Sequence, residues 1–180
     1  MSVALFDGVL PDVFARCVED IDLDRLASRG IEAILLDLDN TVCEWRSEVI
    51  SPHCEAWICR AKQRFGVAIV SNSIKPRRLR RVGERLGIPT VGRWGLGRKP
   101  LPGGILAALR ELDVPPAAAA IVGDQLFADI LGGNRLGLFT IWVKPLRPRE
   151  FAGTKFARML EALAVAQFRR RGLLPEDWSR

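Results

Sequence analysis

Short apolar runs alternate with amphipathic stretches along this chain, and the alternation predicts an α/β layer fold around a parallel sheet. Ala33–Leu38, Val67–Ser71, Pro89–Gly92, Ala118–Gly123 and Phe139–Val143 read as strands. Their short apolar runs suit strands covered on both faces. Ser51 followed by Pro52 marks a helix start, with a hydroxyl acceptor at the N-cap and a ring without an N–H at the first helical position. That helix carries Ala56, Trp57, Ala61 and Phe65 at roughly helical spacing. A second helix begins at Pro76, turns Leu79, Val82 and Leu86 inward and stops at Gly87. A third spans about Gly103–Leu112, and a fourth about Gln125–Arg135, where Gly132 and Gly133 predict close packing on the sheet. A last helix, about Lys155–Arg170, puts Phe156, Leu160 and Leu163 on one stripe. Pro11–Gly30 reads as helical and polar on one side, with Leu23 and Leu26 available for packing.

The chain has 180 residues, without repeats or a low-complexity linker, so a single domain over 1–180 is expected. A net charge of +6 favours anionic partners without choosing among phosphates, lipid surfaces and nucleic acid. No stretch approaches the ~20 apolar residues of a transmembrane helix. The N-terminus MSVALFDGVLPD has neither a basic secretory n-region nor the arginines of a transit peptide. Cys17, Cys43, Cys54 and Cys59 form no CxxC pair, so reduced thiols are the default. These features suggest a cytoplasmic protein, with a place peripheral to a membrane as the variant.

The sharpest chemical signal is Asp37-Leu38-Asp39-Asn40-Thr41, directly after the apolar run Ala33–Leu36. Ligands of doubly wound sheets bind outside the carboxyl ends of the strands. Two carboxylates two residues apart can there serve one centre, one attacking phosphorus and the other handling the leaving-group proton. Three further pieces follow successive strands. Ser71 and Asn72 offer a hydroxyl and backbone N–H groups for phosphoryl oxygens. Lys99, before Pro100, offers an ammonium against phosphoryl charge. Gly123-Asp124 closes the fourth strand, with Asp129 about one turn into the next helix. Magnesium takes a few carboxylates and several waters, which Asp37 and Asp124 can satisfy.

DLDNT, SN, KP and GDxxxxD resemble motifs one to four of the haloacid dehalogenase superfamily. Ile21–Asp24, Trp45, Ser73, Arg98, Gln125-Leu126 and Leu131–Gly137 add a closer resemblance to its YqeG-like subclass IIIA phosphatases. That branch includes the phosphatidylglycerophosphatases of mitochondria and plastids. The resemblance implies a haloacid dehalogenase-like Rossmannoid fold and a magnesium-dependent phosphate monoester hydrolase, with a role in phospholipid biosynthesis as one possibility. By the same resemblance Asp37 would be the nucleophile and Asp39 the acid and base. Magnesium would bind Asp37, the Asp39 carbonyl and Asp124. Asn40, Thr41, Ser71, Asn72 and Lys99 would lie at the substrate, with Asp129 supporting Lys99 or a metal-bound water. Ala128 stands where the family pattern carries Thr, removing a hydroxyl beside Asp129.

Residues 42–70 and 73–98 each hold one helix and one strand between motifs, leaving no room for a cap domain. An open, capless site suits a large substrate or a lid supplied by a partner subunit. Lys75, Arg77, Arg78, Arg80, Arg81, Arg93 and Arg98, with Trp94 among them, can meet an anionic membrane face, track nucleic acid or simply be solvated. Three readings stay open: a phosphatase for a membrane lipid such as phosphatidylglycerophosphate, one for a soluble nucleotide or sugar phosphate, and a basic RNA-binding or assembly factor with low turnover. Nucleic acid is the less favoured partner, and the oligomeric state is open. His53 near Cys54 and Cys59 matches no common zinc spacing.

Overall fold

The computed structural model describes residues 6–92, 97–147, 155–175 and Trp178. Its strands are β1 (Val13–Ala15), β2 (Ala33–Leu36), β3 (Gly66–Ser71), β4 (Thr90–Gly92), β5 (Ala119–Gly123) and β6 (Phe139–Val143). Its helices are α1 (Leu23–Ser28), α2 (Pro52–Ala61), α3 (Pro76–Leu86), α4 (Gly103–Leu112), α5 (Leu131–Leu136) and α6 (Lys155–Arg170). Among the described residues the strands form one six-stranded sheet, ordered β1-β6-β5-β2-β3-β4, with every neighbouring pair parallel.

The apolar pattern explains the layers. Side chains alternate across a strand. Ile34 and Leu36 join Trp57 and Ile58 of α2 and Leu79, Val82 and Leu86 of α3 on one face. Ala33 and Leu35 join Ile105, Ala108 and Leu109 of α4 on the other. β2 is therefore covered on both sides, and its four residues have no exposed surface. The chain runs outward from β2 through β3 to β4, then returns past β2 to lay down β5 and β6. The order thus reverses between β2 and β5, where the loops leaving the two strands diverge and open a crevice.

Local signals act as read at several points. The Ser51 hydroxyl accepts from the Cys54 N–H at 3.0 Å and starts α2. Gly87, at φ 61°, ends α3 in a left-handed conformation that glycine adopts without steric cost. Gly133 lies against the sheet: a Cβ there would stand 2.5 Å from Ile121 Cγ2 and 2.7 Å from Thr140 Cγ2.

Other expectations need correction. Pro11–Gly30 is not helical throughout. It divides into β1, a 3-10 turn over Val18–Asp20, and α1, whose N-cap Asp22 accepts from the Asp24 and Arg25 N–H groups. Asp12 holds β1 to the sheet by accepting from the Thr140 N–H (2.8 Å) and hydroxyl (3.0 Å), a long-range pairing with no local signature. Three strand residues are also too few to display alternation. Leu26 is buried and Leu23 packs beside it, as expected. β2 ends at Leu36, not Leu38. The helix expected over Gln125–Arg135 is a wider π-helical turn, Leu126–Ile130, followed by α5. In α2, Ala56 is exposed, while Cys54, Trp57, Ile58 and Ala61 are buried. In α6 the buried residues among those described are Ala164 and Phe168, and Leu163 is exposed, outside the stripe. Arg93, Trp94 and the side chain of Phe156 lie outside the described residues.

Gly133→Ala forces a methyl into Ile121 and Thr140. Overpacking costs about 1–3 kcal/mol, against about 1 kcal/mol gained in helix propensity. Urea unfolding is expected to show a net loss of about 1–2 kcal/mol; an unchanged midpoint would mean that the helix shifts freely on the sheet.

Candidate active site

The backbone ladder continues one residue past β2, where the Asp37 N–H donates to the Val122 carbonyl at 2.8 Å. Alternation therefore turns Asp37 to the same face as Ala33 and Leu35. Lys99, from the segment between β4 and α4, meets it there. Lys99 Nζ lies 2.6 Å from Asp37 Oδ1, 2.6 Å from Asp129 Oδ1 and 2.6 Å from the Val70 carbonyl. Lys99 is 5% exposed, Asp37 4% and Asp129 0%.

Each member is held by neighbours. Asn72 brackets the Lys99 peptide, accepting from its N–H at 2.9 Å and donating to its carbonyl at 3.0 Å. The Asn72 amide thus positions the lysine backbone instead of standing open to a ligand. The Ser71 hydroxyl oxygen accepts from the Ser73 N–H at 3.1 Å, which leaves its own proton to donate. Asp129 sits in the π-helical turn, where its Oδ2 accepts from the Gln125 N–H at 3.1 Å. Gly123 makes room for it, because a Cβ at that position would fall on the Asp129 carboxylate. The Trp142 indole donates to the Asp124 carbonyl at 2.8 Å and fixes the peptide that carries Asp124. Asn40 turns the chain at φ 63°, a conformation asparagine tolerates, and its carbonyl accepts from the Leu146 N–H at 3.0 Å. Asn40 Oδ1 and Thr41 Oγ1 are buried without a hydrogen-bond partner among the described residues.

Carboxylate oxygens of Asp37, Asp124 and Asp129 all come within 4.8 Å of one another. Among the described residues, Asp37 Oδ2 and both oxygens of Asp124 have no hydrogen-bond partner. Three buried carboxylates thus face one ammonium. Burial, only partly offset by Lys99 and reinforced by Asp129 and Asp39, pushes Asp37 up to about 7. Burial also holds Asp124 well above the usual carboxylate range, with Asp37 and Asp129 adding repulsion. For Lys99, burial favours the neutral amine, but Asp129 and Asp37 outweigh it and keep the nitrogen charged. Orphaned acidic oxygens around a charge deficit fit a hard metal cation, which such a cluster can hold.

Asp39 stands apart from this group. Its oxygens pair with Arg78 Nη1 at 2.9 and 3.0 Å, and Oδ1 also accepts from the Arg46 N–H at 3.0 Å. Two residues escaped the sequence reading. Arg78, counted there with a surface charge run, is buried; a run of arginines gives no sign of which one points inward. Glu161 of α6 accepts from the Leu126 N–H at 3.1 Å, and burial pushes it up to about 7. It caps the turn that carries Asp129, and no local motif announces it.

Comparison with known proteins agrees with this architecture. Residues 5–146 match a family described as mitochondrial PGP phosphatase. The chain is 34% identical over 164 residues to the probable phosphatase YqeG of Bacillus subtilis, covering 91% of this chain and 93% of that protein. It is 29% identical over 182 residues to phosphatidylglycerophosphate phosphatase 1, chloroplastic/mitochondrial, of Arabidopsis thaliana, covering 95% of this chain but only 51% of that longer protein. In fold it is similar to the HAD-hydrolase YfnB from Bacillus subtilis, solved bound to magnesium, with a TM-score of 0.51 at 14% identity over 74% of this chain and 98% of that one. The match along most of the sequence leads to one family: this chain belongs to the PGP phosphatase family and is a YqeG-like phosphatase, on a fold similar to that of haloacid dehalogenase-like hydrolases.

Proposed function

We propose that this phosphatase hydrolyses a phosphate monoester on a lipid head group through a phospho-aspartate at Asp37. The observation that carries the reading is the free Asp37 Oδ2 beside a lysine that occupies only the other oxygen. The Asp37 carboxylate attacks phosphorus, and the bond from phosphorus to the leaving oxygen breaks as Asp39 supplies that oxygen with a proton. Water then attacks the phospho-aspartate and gives its proton to Asp39. The bond from phosphorus to Asp37 breaks, releasing phosphate and restoring both side chains. Ser71 donates to a phosphoryl oxygen, and Lys99 offsets phosphoryl charge while its three donors stay on Asp37, Asp129 and Val70. Asn40 and Thr41 shape the turn beside them, and Asp129 and Asn72 keep Lys99 in place. Magnesium, when bound by Asp37, the Asp39 carbonyl and Asp124, would offset phosphoryl charge and favour the ionised form of Asp37.

Three features support a lipid over a soluble ester. A relative is named for phosphatidylglycerophosphate. Among the described residues, the stretches after the first two motifs hold α2 with β3 and α3 with β4, and none of these elements forms a cap domain. Among the described residues, the exposed large apolar side chains are Val49, Ile74, Leu101, Leu146, Met159 and Leu163. The first four lie on loops that leave the carboxyl ends of β2, β3, β4 and β6, the edge that carries the site. Exposed Lys75, Arg77 and Arg98 share that edge, while Arg80, Arg81 and Arg85 pair with Glu84, Glu48 and Glu55. Apolar tips between basic side chains suit an anionic lipid surface.

In mixed micelles with magnesium, the enzyme is expected to release phosphate from phosphatidylglycerophosphate. Asp37→Asn should lower that rate by about a thousandfold or more, and chelation should abolish it. Release confined to a soluble ester removes the lipid; release from neither removes Asp37-based hydrolysis.

Charge crowding in the site predicts a pH-dependent stability. Asp37 and Asp124 hold protons better folded than unfolded, where a carboxyl titrates near about 4. The folded state therefore loses stability as pH rises from that value to about 7, where Asp37 titrates in the fold. In chelator, Tm is expected to fall across this window. Asp124→Asn should raise Tm at pH above about 7 in chelator, while losing the rise that magnesium gives the wild type. A less stable Asp124→Asn protein in chelator would contradict the charge argument.

A further inference from the structure

Helix α3 carries five arginines, of which Arg77, Arg80, Arg81 and Arg85 are exposed and Arg78 is 4% exposed. Burying a guanidinium is costly unless its donors are met. Here they are met by a single loop. Nε donates to the Ser47 carbonyl at 2.8 Å, Nη1 to Asp39 at 3.0 Å, and Nη2 to Cys43 Sγ at 3.2 Å. Burial pushes the Cys43 thiol up to about 11, so it meets Arg78 as a neutral group, and Asp39 is the carboxylate in contact with the guanidinium. An apolar side chain would fill this space more cheaply if anchoring the loop were the whole task.

Asp39 needs such a partner. It is outside the cluster of Asp37, Asp124 and Asp129, so the lysine that orders that cluster does not order it. Among the described residues, its side chain has, apart from the guanidinium, one backbone N–H, from Arg46, itself an exposed residue of the same loop. A planar guanidinium donating along a fixed fork removes rotational freedom that a point charge leaves. Arg78 also rides on the helix that follows Ser71, so it ties the Asp39 loop to the strand end that presents the Ser71 hydroxyl.

We infer that Arg78 is a positioning residue that holds the Asp39 carboxyl and its loop in register with the Ser71 strand end for proton transfer to the leaving oxygen. The inference rests on the reading of Asp39 as proton donor and acceptor. Its signature is dependence on the leaving group, because a poor leaving group needs a well-placed proton and a good one does not.

The test compares p-nitrophenyl phosphate, whose leaving group is acidic, with glycerol phosphate, whose leaving group is not, in full-length wild type, Arg78→Lys, Arg78→Met, Asp39→Asn and the Asp39→Asn/Arg78→Lys double variant. Thermal unfolding identifies which variants fold, and the lysine variant carries the test if the methionine variant does not. Both Arg78 variants are expected to lose about tenfold or more in kcat on glycerol phosphate beyond any loss on p-nitrophenyl phosphate. Lysine should restore only part of that difference. In the Asp39→Asn background, Arg78→Lys should leave the preference between the two esters unchanged. Equal losses on both esters, or a preference that still shifts without Asp39, would overturn the inference. An Asp39→Asn enzyme without any ester preference would remove the reading of Asp39 and this inference with it, whereas hydrolysis surviving Asp37→Asn would fault only the nucleophile.

Discussion

A buried ammonium surrounded by carboxylates organises this protein. Lys99 Nζ is shared by Asp37, Asp129 and the Val70 carbonyl, each at 2.6 Å, in a space with almost no solvent. Without that charge, Asp37, Asp124 and Asp129 could not lie so close while ionised. With it, the count is still unequal, three carboxylates to one ammonium. The imbalance raises Asp37 and Asp124 and leaves their free oxygens waiting for positive charge. In the proposed reaction, a divalent cation would match that deficit, and Asp37 would be spared the protonation its burial favours.

The sheet brings these charges together. Because β2, β3 and β5 run parallel in adjacent places, their carboxyl ends open on one edge. Close approach then depends on what is absent as much as on what is present. Gly123 lacks the side chain that would strike Asp129, and Gly133 lets α5 settle on Ile121 and Thr140. Two polar side chains complete the frame: the Asn72 amide fixes Lys99, and the Trp142 indole fixes the Asp124 peptide. Ala128 is buried in the π-helical turn beside these groups.

The Lys99 cluster and the Asp39 loop have separate supports. The cluster around Lys99 is held by ion pairs and burial, which suits the attacking oxygen of the proposed reaction. Asp39 instead belongs to a loop over residues 39–47 that is held from outside by α3. A group that must both give and take a proton in the proposed cycle thereby has its own support, independent of the lysine. The apolar and basic rim lies on the same edge, so a substrate at a lipid surface would meet positive charge before it meets the carboxylates.

Local sequence carried the candidate site motifs and most of the layers. The pairs Asp37/Asp39 and Gly123/Asp124 mark strand ends because apolar runs stop there, and Ser51-Pro52 and Gly87 mark helix ends because capping is a contact between near neighbours. Long-range contacts fixed what those signals left open. β1 exists because Asp12 finds Thr140 across 128 positions, which overrides a segment that reads as helix. Asn72 turned to the Lys99 backbone once folding made that the nearest pairing. Arg78 and its exposed neighbours look alike in a run of charges, and only the packing of α3 against the 39–47 loop singles one out. Motifs report residues whose neighbours along the chain shape their role; a guanidinium meeting a carboxylate 39 positions away depends on the path of the backbone between them.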